Sequence, residues 1–204
     1  MTNITLHHGD LPDNLDLGDI VAVDTETMGL KYKRDRLCLV QLSSGDGHAH
    51  LVQLNNGDYK APNLKALLSD AKTLKIFHYA RFDIVAIKTY LGVDCQPVYC
   101  TRTASKLART YTDRHGLKDI CKELLDIDIS KNQQSSDWGA TELSPDQLEY
   151  AANDVYHLHK LKDKLDVMLK REGRDKLARM VFDAMPMRAA LDIAGWRGTD
   201  IFEH

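Results

Sequence analysis

The amino-acid sequence predicts an α/β fold, and two features of its patterning carry that expectation. Three short β-rich runs joined by turns open the chain; from residue 62 onward the hydrophobic period lengthens, as helical stretches alternate with two further apolar runs. A length of 204 residues with 43% hydrophobic content makes one domain with one sizeable core the expected organisation.

Residues 20–25 form a short apolar run entering acidic residues. Residues 37–42, within RLCLVQLSSG, are β-rich and end in a Ser-Ser-Gly-Asp-Gly turn, and residues 50–54 alternate before Asn55-Asn56-Gly57. Short turns between sequential strands imply an antiparallel meander. Pro62 opens a short helical stretch through Leu68, residues 74–77 read as a fourth, buried strand, and residues 82–91 as an amphipathic helix stopped by Gly92. Residues 98–100 supply a fifth strand. Helices follow over 101–111, 117–125 and 145–171, the last announced by Ser144 at the N-cap and Pro145 at the first helical position. After Gly173 another helix runs to about Met185, before the apolar tail PMRAALDIAGWRGTDIFEH. The polar loop DISKNQQSSDWGATEL, with its single tryptophan, is long enough to carry function.

A formal charge of −3 argues against a general duplex-DNA binder, which carries a basic excess. If four carboxylates hold cations the rest of the chain is near neutral, which leaves room for a small nucleic-acid substrate. Cys38, Cys95, Cys100 and Cys121 form no C-x-x-C pair and read as reduced, structural thiols. The N-terminal MTNITLHHGD lacks a basic segment followed by an apolar run, and no stretch approaches a membrane span, so a cytoplasmic location without membrane partners is expected.

Three acidic clusters stand out. Asp24 and Glu26, in VAVDTET, sit at i and i+2 on a strand end and so point to one face, where two carboxylates can share a hard cation. Asp83 lies in the first turn of the helix after the fourth strand; an acid there also complements the helix dipole without any ligand. His78 precedes it at the strand exit. Tyr150 and Asp154 are at i and i+4, one turn apart on one helix face, with small Ala151 and Ala152 between them allowing close approach to the sheet. Singly, each has an ordinary structural reading. Together they suit metal-assisted hydrolysis of a phosphodiester.

VDTET, the H-x-x-x-x-D of His78 to Asp83, and the Y-x-x-x-D of Tyr150 to Asp154 resemble, in order and spacing, the three motifs of the DEDDy 3'-5' exonucleases. QQSSDW and LSPDQLEYAANDVYHL are similar to the ribonuclease D branch, and the likeness covers residues from about 18 to 170. Ribonuclease D proper carries further C-terminal helical domains, to which this chain does not extend. DTETMGL, RDRLCLVQLSSGDG, RTYTDRHGLK, SKNQQSSDW and the closing GW and IF resemble the bacterial nanoRNase C group, which degrades very short RNA and assembles as ring-shaped octamers.

The resemblance implies a ribonuclease H-like 3'-5' exonuclease fold, with a mixed central sheet flanked by helices. One exonuclease domain would span 1–204, with a catalytic core over about 18–172 and a helical tail over about 173–204. It implies two divalent cations, Mg2+ or Mn2+, held by Asp24, Glu26, Asp83 and Asp154, with Tyr150 orienting the attacking water. It also implies release of nucleoside 5'-monophosphates from dinucleotides and other short RNA. Action on longer structured RNA or on DNA, or an inactive nucleic-acid-binding module, are the alternatives.

Substrate contacts are expected from Thr25, Met28, Gly29, Leu30, His78, Gln134, Ser135, Ser136 and Trp138. Leu30 resembles the apolar wedge of oligoribonucleases; Met28 either adds to it or lies in the core. Trp138 either contacts substrate or pins its loop. Arg109, Arg114, His115 and Lys118 are candidates for phosphate contact or plain surface charge. Met185, Met187, Leu191, Ile193, Trp196, Ile201 and Phe202 fit a homo-oligomer interface or a docked C-terminal segment.

Overall fold

The computed structural model describes residues 3–129, 133 and 136–203. Within them six strands form one sheet: β1 (Asn3–His8), β2 (Ile20–Thr27), β3 (Leu37–Ser43), β4 (His48–Gln53), β5 (Leu74–Phe77) and β6 (Val98–Cys100), in the order β1-β4-β3-β2-β5-β6. The expected meander is present, since β2, β3 and β4 pair antiparallel in sequence order. On either side the pairing turns parallel, β1 with β4 on one, β2 with β5 and β5 with β6 on the other, so the sheet is mixed.

Among the described residues eight helices accompany it: α1 (Pro62–Ser69), α2 (Ala80–Leu91), α3 (Thr101–Ala108), α4 (Leu117–Leu125), α5 (Pro145–Tyr156), α6 (Leu158–Arg171), α7 (Asp175–Asp183) and α8 (Met185–Ile193). β3 is buried along its whole length, which explains its continuous apolar run. The four cysteines are buried and unbridged, and burial pushes the Cys38 thiol up to about 11.

Three sequence expectations are corrected. β1 was not anticipated: NITLHH lacks strong apolar alternation, and the strand exists because β4 offers it an edge to pair with. The helix expected over 145–171 breaks at His157. The cause is a change of partner, since α5 buries Ala151, Ala152 and Val155 and packs on β2, β3 and β4, whereas α6 buries Leu158, Leu161, Leu165 and Leu169 and packs on α3 and α4. The tail contains a further helix, α8, which packs on α2. Among the described residues no helix is long and apolar enough to cross a membrane.

Candidate active site

β2 carries Asp24 and Glu26 to the sheet end where β5 hands over to α2. That handover is abrupt. Tyr79 takes a left-handed conformation (φ 75°), turning the chain from strand into helix within two residues and placing Asp83 in the first turn of α2. α5 starts in a complete capping box: Ser144 Oγ accepts from the Gln147 amide while Gln147 Oε1 accepts from the Ser144 amide. Helix geometry then brings Tyr150 and Asp154 over β2.

One carboxylate oxygen each from Asp24, Glu26 and Asp154 lie within 4.8 Å of one another. Asp83 stands beside this trio, buried, its Oδ1 accepting from Thr25 Oγ1 at 2.7 Å. Gln41 Nε2 donates to Asp24 Oδ2 at 3.2 Å. Burial, and then the charges of Asp83, Asp154 and Glu26, raise the Asp24 pKa well above the carboxylate range. Glu26 is raised by burial and by Asp154 and Asp83. Burial lifts Asp83 to about 8 against the pull of the Thr25 hydrogen bond, and lifts Asp154 to about 7 against a hydrogen bond from Tyr150. Tyr150 itself is raised by burial and the nearby carboxylates, so its hydroxyl keeps its proton. Four like charges gathered this closely need a counter-charge to ionise together, and an all-oxygen donor set suits Mg2+, Mn2+ or Ca2+.

The carboxylates line a cleft of about 690 Å³. Its rim includes Met28 and Leu30, which are 56% and 70% exposed, so neither is a core residue. A Cβ on Gly29 would run into the Asp35 carboxylate, which accepts from the Lys31 amide at 2.9 Å, so a side chain there would push that carboxylate off the turn it holds.

A family model described as 3'-5' exonuclease matches residues 10–170. The chain belongs to the 3'-5' exonuclease family. This exonuclease is 35% identical over 154 residues to ribonuclease D of Gluconacetobacter diazotrophicus, covering 76% of this chain and 39% of that relative. It is 35% identical over 147 residues to DNA polymerase I of Aquifex aeolicus, covering 72% of this chain and 24% of the polymerase. The chain thus spans about two fifths of the length of the ribonuclease D relatives it matches.

Among solved structures it is similar to NrnC of Brucella melitensis bound to pGG, at 54% identity, a TM-score of 0.96 and full coverage of both chains. A structure of the same Brucella protein with bound Mg2+ matches at 54% identity and a TM-score of 0.94, covering 99% of each chain. Escherichia coli ribonuclease D, an exoribonuclease involved in structured RNA processing, matches at 26% identity and a TM-score of 0.74, over 88% of this chain and 48% of that one. The exonuclease is accordingly of the ribonuclease D type, with the ribonuclease H-like architecture.

Of the residues singled out in the sequence, this exonuclease brings Asp24, Thr25, Glu26, Met28, Gly29, Leu30, His78, Asp83, Ser136, Trp138, Tyr150 and Asp154 to one cleft. Thr25 serves Asp83 through its hydroxyl, and His78 shares a 2.9 Å hydrogen bond with Thr101. Trp138 is 2% exposed with its ring 6.0 Å from that of Tyr150, so it pins the loop and backs the tyrosine. Ser136 Oγ accepts from Gln147 Nε2, tying the same loop to α5. Gln134 and Ser135 lie outside the described residues.

The basic cluster divides. Arg109 is fully buried, paired with Glu123 and donating to Ser105 Oγ and the Arg114 carbonyl, so its charge is spent inside the fold; His115 is buried against Ser105. Lys118 does line the cleft. The sequence reading missed Arg102, Tyr79 and Phe82, also at the cleft, and Gln41 behind it. Arg102 had a usable signal: it lies in the first turn of α3, two residues after β6 ends, at the same sheet end as the acidic strand.

Proposed function

We propose that this protein is a metal-dependent 3'-5' exoribonuclease acting on very short RNA, dinucleotides included, and releasing nucleoside 5'-monophosphates. The observation that carries the reading is the convergence of the Asp24, Glu26 and Asp154 oxygens on one point, with Asp83 beside them, at the floor of an open cleft. Asp24, Glu26 and Asp154 would hold divalent cations directly, with Asp83 acting on a second ion directly or through water. When bound, two such ions supply the electrophile that draws charge from the scissile phosphate and acidifies the attacking water.

The chain's own residues do the rest. Tyr150, whose raised pKa keeps it protonated, orients the water through its hydroxyl rather than serving as base. The water oxygen bonds to phosphorus as the P–O3' bond breaks; the proton the water gives up passes to solvent, and the leaving 3'-oxygen takes one up from solvent. Exposed Leu30 and Met28 offer apolar surface on which a terminal base can stack, and Arg102 and Lys118 bring cationic charge to a phosphate in the cleft. The pGG bound by the Brucella protein supports a short substrate. Exposed Met187, Trp196, Ile201 and Phe202 support a homo-oligomer, an octamer by resemblance to the nanoRNase C group.

The test is a length series: 5'-labelled RNAs from two to about twenty nucleotides, with single- and double-stranded DNA beside them, incubated with Mg2+. A steep preference for dinucleotides is expected. Equal rates at all lengths would reject it in favour of ribonuclease D-like action on longer RNA, and faster cleavage of DNA would make DNA the substrate. Asp24→Ala protein must be inactive in the same assay; wild-type activity in that variant would sink the metal cage.

A further inference from the structure

β3 reads LCLVQLS, and every residue in it is buried. Gln41 is the one amide in it, at 0% exposure with Leu39, Val40 and Leu42 as strand neighbours. Its cross-strand partners are Asp24 on β2 and Leu51 on β4. The amide makes one contact of note, Nε2 to Asp24 Oδ2 at 3.2 Å, while its Oε1 has no hydrogen-bond partner among the described residues. A buried amide with its carbonyl oxygen unsatisfied costs stability that a leucine or methionine would not. What the position gains is a donor aimed at the carboxylate on the adjoining strand. The register makes that aim rigid, because Asp24 and Gln41 are directly opposed residues of paired strands near the middle of the sheet.

We propose that Gln41 is a positioning residue for the cation site. Its N–H occupies one lone pair of Asp24 Oδ2 and fixes the rotation of that carboxylate, so that the remaining lone pairs face the point on which the Glu26 and Asp154 oxygens also converge, where a cation would sit. The inference rests on the reading of Asp24 as a cation ligand. Gln41 shares the Asp24 face of the sheet but is not among the residues that line the cleft, so it acts through Asp24. Partners behind ligating carboxylates commonly account for a 10- to 100-fold share of metal affinity.

The experiment is a Mn2+ titration followed by calorimetry and by electron paramagnetic resonance, without RNA, on wild type, Gln41→Met, Gln41→Asn, Gln53→Met and Asp24→Asn. Methionine keeps the volume and removes the donor; asparagine keeps the amide but withdraws it. Gln53 is the control, a buried amide on the neighbouring strand that donates to the Ala140 and Thr141 carbonyls instead.

Both Gln41 variants should bind Mn2+ roughly 10- to 100-fold more weakly, and Gln53→Met within about twofold of wild type. With RNA present, the Gln41 variants should recover their rate at high Mg2+ with KM for RNA unchanged. A folded Gln41 variant that binds Mn2+ within twofold of wild type overturns the proposal. If Asp24→Asn also binds as wild type does, the metal reading falls with it; if Asp24→Asn alone loses binding, only the role of Gln41 is refuted.

Discussion

Arg81 and Asp83 stand two residues apart in the first turn of α2, and each belongs to a buried carboxylate site of opposite design. Asp83 joins Asp24, Glu26 and Asp154, where burial raises every pKa and neighbouring carboxylates raise those of Asp24, Glu26 and Asp83 further. Arg81 reaches the other way, to Asp192 on α8, with Nε and Nη2 donating at 2.6 and 2.7 Å; Arg188 adds a third bond at 2.7 Å. Burial pushes the Asp192 carboxyl up, but the two arginines outweigh it and hold the pKa below its ordinary value. One site is electrostatically complete and the other is built incomplete. The complete one lies at residue 192, beyond the family match that ends at residue 170, and it clamps the tail; Arg197 also stacks 4.9 Å over Tyr32, in the segment after Leu30. The incomplete one stores its mismatch for a cation.

The sharpest way to break this contrast is to remove one acid from each site. Asp24→Asn should cut activity about 10³-fold or more, on the order of 4 kcal/mol of transition-state stabilisation. The same change should leave the melting temperature in EDTA equal or higher, because it relieves like-charge crowding. Single-turnover rates and thermal melts of the one preparation decide both halves. A large fall in melting temperature would show that the cage is structural.

Asp192→Ala should behave in reverse. It strands Arg81 and Arg188, whose side chains are 33% and 26% exposed and can partly rehydrate, so the expected loss is near the low end for a broken buried pair, about 3 kcal/mol. For a chain of this size that lowers the melting point by roughly 6–12 °C. Urea titration gives the free energy directly. An unchanged midpoint would mean that α8 is held by its apolar contacts alone.

The two sites also differ in how far the sequence disclosed them. The cage was legible because strand and helix periods fix direction: i and i+2 on β2, i and i+4 on α5, and a first-turn position on α2 each aim a side chain from local geometry alone. The Ser144-Pro145 start was legible for the same local reason. Asp192 was not, because nothing near it in sequence announces Arg81, 111 residues away. The same limit hid β1, which takes its conformation from β4, and the break at His157, which reflects two packing partners. Arg109 read as a phosphate contact or a surface cation because its charge is answered by Glu123 and a loop carbonyl, which only the fold brings together. Gln41 carried a faint signal, one amide inside an apolar strand, but its meaning needed the register with Asp24.

Stability against pH separates the sites most finely. The cage acids have folded pKa values above their unfolded ones, near 7 for Asp154 and 8 for Asp83. The stability they contribute is complete below the unfolded value of about 4 and is lost as pH rises through the folded values. Asp192, lowered in the fold, contributes above its unfolded pKa and loses that contribution only as pH falls through the folded one. Between pH 6 and 8 the cage therefore acts alone of the two. In EDTA the protein should lose stability across that range, by on the order of 1 kcal/mol per pH unit. Bound Mg2+ favours the ionised cage, so the stabilisation it brings should grow with pH. Urea midpoints at pH 6, 7 and 8, with and without Mg2+, measure both slopes. A Mg2+ effect of constant size across the range would mean that the cation meets carboxylates already ionised, and that the crowding of Asp24, Glu26, Asp83 and Asp154 is relieved within the apo fold.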